Sequence, residues 1–84
     1  MIYSLQFSEI SHKKLKKLHK FQLRIIDKKI KKILKDPYHF KPLKGDMYGA
    51  RRVHIESSFV LVYEILESQK IVRILDYDHH EKVY

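Results

Sequence analysis

One histidine, His54, stands between Val53 and Ile55 directly after Arg51 and Arg52, and two more, His79 and His80, follow the last apolar run. An imidazole titrates close to neutral pH, so a pair of them can take a proton from one oxygen and deliver another elsewhere under the same conditions. Around them the sequence supplies guanidinium and ammonium groups: Arg51, Arg52, Arg73, Lys41 and Lys44. Such groups hold an anion and stabilise charge that grows on its oxygens. A cluster of this kind without carboxylate neighbours suits phosphodiester chemistry. Taken singly, each residue has a plainer explanation, an exposed strand histidine without a task or a solvated basic surface. Their company favours chemistry.

Other chemistries fit less well. Adjacent histidines on an extended tail point in opposite directions, cysteine is absent, and no HExxH pattern occurs, so no metal site is expected at His54, His79 and His80. Ser57 and Ser58 lie in a turn without the glycines of a nucleophile elbow. Gly45 and Gly49 form neither GxGxxG nor a Walker loop, and no cofactor is expected.

The elements that must position these groups follow from periodicity. In "MIYSLQFS", Tyr3, Leu5 and Phe7 alternate with polar positions, which predicts an opening strand with one inward face. Ser8 or Ser11 is a candidate N-cap. Leu15, Leu18, Leu23, Ile26, Ile30, Ile33 and Leu34 then recur at helical spacing, with a change of phase near His19 to Phe21. Two helices in a hairpin, about 9–20 and 21–35, are predicted. Asp36-Pro37 ends the second, because the residue before proline avoids helical angles. "PYHFKPLKGDMYG" holds both prolines and both glycines of the chain and reads as an ordered, functional loop. Three strands follow, about 50–56, 59–67 and 70–77, joined by short turns, and "DHHEKVY" is left as a polar tail.

Connections this short imply a four-stranded, mainly antiparallel α+β sheet (β-α-α-β-β-β) with the helical hairpin on one face and the other face open. Alternation sends Val53 and Ile55 toward the helices and Arg52, His54 and Glu56 to the open face. The tail histidines are expected to reach that same face.

Eighty-four residues have room for a single core, and one domain spanning 1–84 is expected. Without cysteine, the chain suits a reducing cytoplasm. No apolar run is long enough for a membrane span, and Met1 to Ile10 lacks the pattern of a signal peptide, so a soluble protein is expected. The formal net charge is +8, from 18 Lys and Arg against 10 Asp and Glu. Eleven of the basic residues lie between Lys13 and Lys35, where Asp27 is the only acid. Such a field concentrates polyanions, whether nucleic acid, an anionic membrane or an acidic protein.

The stretch "KPLKGDMYGARRVHIESSFVLVYEI", together with the ending "HHEKVY", resembles the RelE/ParE superfamily of toxins from toxin–antitoxin modules, and most closely its RelE-type, YafQ- and YoeB-like branch. The resemblance covers the order of elements across the chain. It implies a metal-independent endoribonuclease, an mRNA interferase, acting on messenger RNA in the ribosomal A site by attack of a ribose 2′-hydroxyl on the adjacent phosphate. It also implies a cognate acidic RelB-like antitoxin, assembled with the toxin as a higher oligomer. By the same resemblance, His54 falls on an active-site histidine of the strand and Arg52 on a basic position beside it. His80 falls on the tail histidine, Tyr84 on a terminal aromatic that stacks on a base, and Lys41 where relatives place a base. Lys44, Arg51, Arg73 and His79 would contact RNA. Two positions depart from the pattern: Val60 replaces an arginine, and Ser58 an acid that follows the strand histidine. The rival implication is a non-catalytic, ParE-like inhibitor of DNA gyrase, or an RNA-binding member with an eroded site.

Overall fold

The computed structural model describes residues 2–42 and 49–83. Strand β1 (Ser4–Phe7) leads into helices α1 (Glu9–Leu15) and α2 (Lys20–Lys35), then strands β2 (Ala50–Ile55), β3 (Phe59–Leu66) and β4 (Ile71–His79), and a closing helix α3 (His80–Val83). The strands are ordered β1-β4-β3-β2. β2 and β3 pair antiparallel, as do β3 and β4, while β1 lies parallel to β4 with Ser4 opposite Ile71 and Phe7 opposite Ile74. The sheet is therefore mixed, a refinement of the mainly antiparallel expectation. The hairpin between β1 and β2 carries the chain across the sheet and makes the parallel pairing possible.

Ser8 starts α1 because its Oγ accepts the Ser11 N–H at 3.1 Å, an N-cap that satisfies one orphan donor. The helix ends at Leu15, five residues short of the expected boundary, and α2 restarts at Lys20, with Gln22 Oε1 accepting the His19 N–H at 3.2 Å. Ile26, Ile30, Ile33 and Leu34 of α2 are sealed against Val53, Ile55, Leu61, Tyr63, Val72 and Ile74 of the sheet. Leu5 and Phe7 also face this side, yet they remain 36% and 41% exposed. The hairpin thus leaves a cleft of about 380 Å³ between β1, α1 and α2, lined by Leu5, Phe7, Leu15, Leu23, Ile26 and Ile30.

β4 contains a bulge. Val62 pairs with Asp76 and Tyr63 with Ile74, so Leu75 is an extra residue with no opposite number. The inserted residue resets the alternation: Val72 and Ile74 are buried under the helices before it, and Tyr77 after it. Asp76 and Asp78 are thereby turned to the far face. The bulge lies where β1 stops, and the carbonyls left over there are taken by α1. The Ser8 N–H donates to Ile74 O at 2.8 Å, Ser11 Oγ to Ile74 O at 2.9 Å, and Ser8 Oγ to Leu75 O at 2.7 Å. Beyond the bulge the strand runs on to His79, and residues expected as a polar tail after residue 77 continue as strand and short helix.

Ser8 both caps α1 and pairs a bulge carbonyl, so Ser8→Ala should lower stability by about 1–2 kcal/mol. Urea denaturation checks this: the midpoint falls while the slope stays unchanged.

Candidate active site

On the far face of the sheet the register sets side chains in rows. His54 lies opposite Val60, and Val60 opposite Asp78; Arg52 lies opposite Val62, and Val62 opposite Asp76. Strand spacing puts the Cα atoms of His54 and Asp78 about 10 Å apart, across one intervening strand. His54 is exposed and Arg52 half-buried, as the alternation of β2 requires. α3 turns back against β3 and β4, and the His80 N–H donates to Ser58 O at 3.0 Å. This bond ties His80, half-buried, to the β2–β3 turn, two residues from Val60 in sequence. The backbone of His80 thus lies near the end of the sheet where His54 stands, with Arg52 two residues along β2.

The basic cluster, expected to lack carboxylate neighbours, has two from β4 on its face. Asp76 and Asp78 stand on it, and Lys14 reaches from α1 to both, its Nζ 2.7 Å from Asp76 Oδ1 and 3.0 Å from Asp78 Oδ2. Hydrogen bonding to Asp76 and then to Asp78 raises the lysine's pKa above its ordinary value. Nor is the face bare: Val60 and Val62 are 0% and 1% exposed and form a small cluster with Ala50 and Leu75. The position that departs from the resembling family's arginine is therefore a buried valine between His54 and Asp78.

Other candidate residues scatter. Arg51 points to the helix side, where it donates to Phe40 O at 2.7 Å and lies over the Tyr38 ring at 5.1 Å from its centroid. The bulge leaves Arg73 on the far face, but four residues along β3 from the His54 row, where it pairs with Glu64 at 3.4 Å. The His79 ring packs on Phe59 at 4.3 Å, on the helix side. Lys41 is exposed at the margin of β2, its carbonyl accepting the Arg52 N–H at 3.1 Å, and Pro42 bridges Arg51. Lys44 and Tyr84 lie outside the described residues.

The segment carrying Lys41 is pinned at several points. The Tyr63 hydroxyl, whose pKa burial pushes up, donates to Pro37 O at 2.5 Å. Glu67 accepts from the Tyr38 hydroxyl at 2.5 Å and the Tyr3 hydroxyl at 2.7 Å, and it also pairs with Lys70. One carboxylate therefore joins the residue before β1, the loop after α2 and the β3–β4 turn. The Lys70 ammonium, then the Tyr38 and Tyr3 phenols, hold the Glu67 carboxyl at about 2, against an ordinary 4.5. A carboxyl depressed in the folded state stabilises the fold above its unfolded pKa and loses that contribution as pH falls through the folded one. The native protein should lose stability between about pH 5 and pH 2 more steeply than Glu67→Gln. Thermal melts of both across that range check the difference.

Among the described residues, no group of three or more His, Cys, Asp or Glu side chains is placed to hold a metal ion, and no helix is long and apolar enough to cross a membrane.

A model of the ParE-like toxin of type II bacterial toxin–antitoxin systems matches residues 5–84. The chain belongs to this family and is a toxin of a type II module, with a RelE-like fold. An uncharacterised protein of Methanosarcina mazei is 47% identical over 79 residues, covering 92% of each chain. A Methanocaldococcus jannaschii protein provisionally assigned as toxin RelE4 is 42% identical over 71 residues, covering 84% of this chain and 76% of its own. Among solved structures, an arginine-to-alanine double variant of E. coli toxin RelE, in complex with a peptide of antitoxin RelB, superposes with a TM-score of 0.81. It is 25% identical and covers 100% of this chain and 92% of its own.

Proposed function

We propose that residues 1–84 act as one cytoplasmic toxin domain that cleaves messenger RNA without a metal, in the ribosomal A site, and so stops translation. The observation that carries this reading is the exposed His54 on the far face, beside Arg52, with His80 tethered at the end of the same rows. In the reaction one imidazole takes the proton from a ribose 2′-hydroxyl, whose oxygen bonds to the adjacent phosphorus. The phosphorus–5′-oxygen bond breaks, and the second imidazole, protonated, gives the leaving oxygen its proton. Arg52 offsets charge on the non-bridging oxygens, and Lys41 orients the hydroxyl. Lys44 meets the backbone and Tyr84 stacks on an unpaired base. The lysines of α1 and α2 face ribosomal RNA, a contact that weakens with salt.

A RelB-like acidic antitoxin is the partner that suits the rest of the surface. RelE is complexed with a RelB peptide in the structure compared above. The apolar cleft between β1, α1 and α2, whose polar lining is His12, Lys16 and Asp27, fits an amphipathic segment, and the lysines of both helices around it suit an acidic one. The assembly would be a higher oligomer.

The buried Val60 and the carboxylates of Asp76 and Asp78 favour a second reading, in which the far face has lost catalysis and the toxin acts by binding, as a gyrase inhibitor or an RNA-binding member. Primer extension on messenger RNA after expression separates the two. Cuts at codon-phased positions are expected, and His54→Ala or His80→Ala should each reduce them by at least ~100-fold. Intact message with linearised DNA, or undiminished cleavage by the double variant, would overturn the nuclease reading.

A further inference from the structure

We propose that Arg51 is a positioning residue: by holding the Phe40 carbonyl from the helix side, it keeps the segment before β2 in the register that sets Lys41 beside Arg52 on the far face. The inference rests on the reading that this face receives RNA, and it does not require that the RNA be cut. Two consecutive residues of β2 take three consecutive carbonyls of the segment. Arg51 Nη1 donates to Phe40 O at 2.7 Å, the Arg52 N–H to Lys41 O at 3.1 Å, and Arg52 Nη1 to Pro42 O at 3.4 Å. Pro42 pairs with Arg51 in antiparallel sense, which sets Lys41 opposite Arg52 and Phe40 opposite Val53. Opposite residues of an antiparallel pair share a face. Phe40 accordingly packs on the core that holds Val53, and Lys41 is exposed on the side of Arg52 and His54.

Register matters here because a slip of one residue exchanges the two faces. Lys41 would then turn to the helix side, and Phe40 or Pro42 would take its place beside Arg52. The backbone alone specifies this register weakly. Among the described residues the segment pairs with β2 at a single bridge, and proline at that bridge has no N–H to give. Side chains supply the rest, and the Arg51 guanidinium is the nearest of them to Lys41 along the chain. It donates to the carbonyl just before Lys41, reaches Tyr38 O at 3.4 Å, and lies over the Tyr38 ring, whose hydroxyl Glu67 accepts. A planar fork bonds carbonyls and covers a ring at once, a geometry that a lysine ammonium does not reproduce. Arg51 therefore acts on RNA through Lys41, while its own charge stays on the helix side of the sheet.

The test is a double-variant cycle on the full chain, read as binding to a fluorescent single-stranded RNA with 2′-fluoro riboses, which lack the attacking hydroxyl, by anisotropy across a salt series. Lys41→Ala should weaken binding about fivefold at low salt and reduce the salt slope by about one phosphate contact. Arg51→Gln should weaken it about threefold in the native background, and by less than about 1.5-fold where Lys41 is already alanine. Arg51→Lys, which keeps the charge, should behave as Arg51→Gln does. Amide exchange followed by NMR reports the register directly: the Arg52 N–H should exchange about tenfold faster in Arg51→Gln, while the amides between β3 and β4 keep their rates. Additive losses, native affinity in Arg51→Lys or in Lys41→Ala, or an unchanged Arg52 exchange rate overturns the proposal. Where Arg51→Gln does not fold, as judged by circular dichroism, Tyr38→Ala, which removes the ring beneath the guanidinium, takes its place in the same cycle with the same outcomes. Because the probe is not cleaved, the result is independent of primer extension. A chain that shows the non-additive pattern yet leaves message intact retains the role of Arg51 and loses the nuclease reading, whereas codon-phased cuts beside additive losses do the reverse.

Discussion

The single extra residue in β4 governs much of this molecule. Leu75 has no partner on β3, and its insertion shifts the phase of every side chain after it. Before the bulge the strand gives Val72 and Ile74 to the core under α2; after it, Tyr77 takes that role and the aspartates face outward. The same irregularity leaves backbone carbonyls without a strand beside them, and buried carbonyls require donors. Ser8 and Ser11 supply them, which fixes where β1 ends and where α1 begins. One local feature therefore couples the docking of the first helix to the chemical character of the opposite face.

Much of the architecture was legible in the sequence because periodicity reports burial. Val53 and Ile55 facing the core, with His54 outward, required only the two-residue repeat of a strand. The sealed residues of α2 followed from spacings of three and four. The helix boundary at Leu15 was missed because Leu18 prolongs the apolar spacing past the point where the chain turns; Leu18 N–H bonds to Leu15 O in that turn and its side chain packs on the core from outside the helix. The charge pattern of the far face was missed for a different reason. Simple alternation through "RILDYDHH" cannot locate a bulge, and taking Asp78 as the start of a tail removed it from the sheet altogether. Two aspartates flanking a core tyrosine were the available signal.

The candidate site was legible in part. Alternation placed His54 and Arg52 on one face, which strand register bears out, and one backbone bond ties His80 to the β2–β3 turn. Arg51 is adjacent to Arg52 in sequence and opposite to it in space, and its guanidinium serves the loop that holds Lys41. A dipeptide of identical residues is thus divided between two tasks by the pleat. Family membership establishes that the chain is a toxin, and the far face carries features, Val60 and the Lys14-bridged aspartates, that bear directly on how such a toxin would act.

The parallel pairing of β1 with β4 has a bearing on how the molecule comes into being. Ser4 meets Ile71 at long sequence separation, so during synthesis β1 must wait for β4 before it can find its place. Until then α1 has no bulge to dock on, and the rows that bring Arg52 and His54 beside their neighbours are incomplete. Assembly of the sheet is a late event, and a nascent chain stalled before residue 71 would possess neither the four-stranded sheet nor the surface that the folded toxin presents.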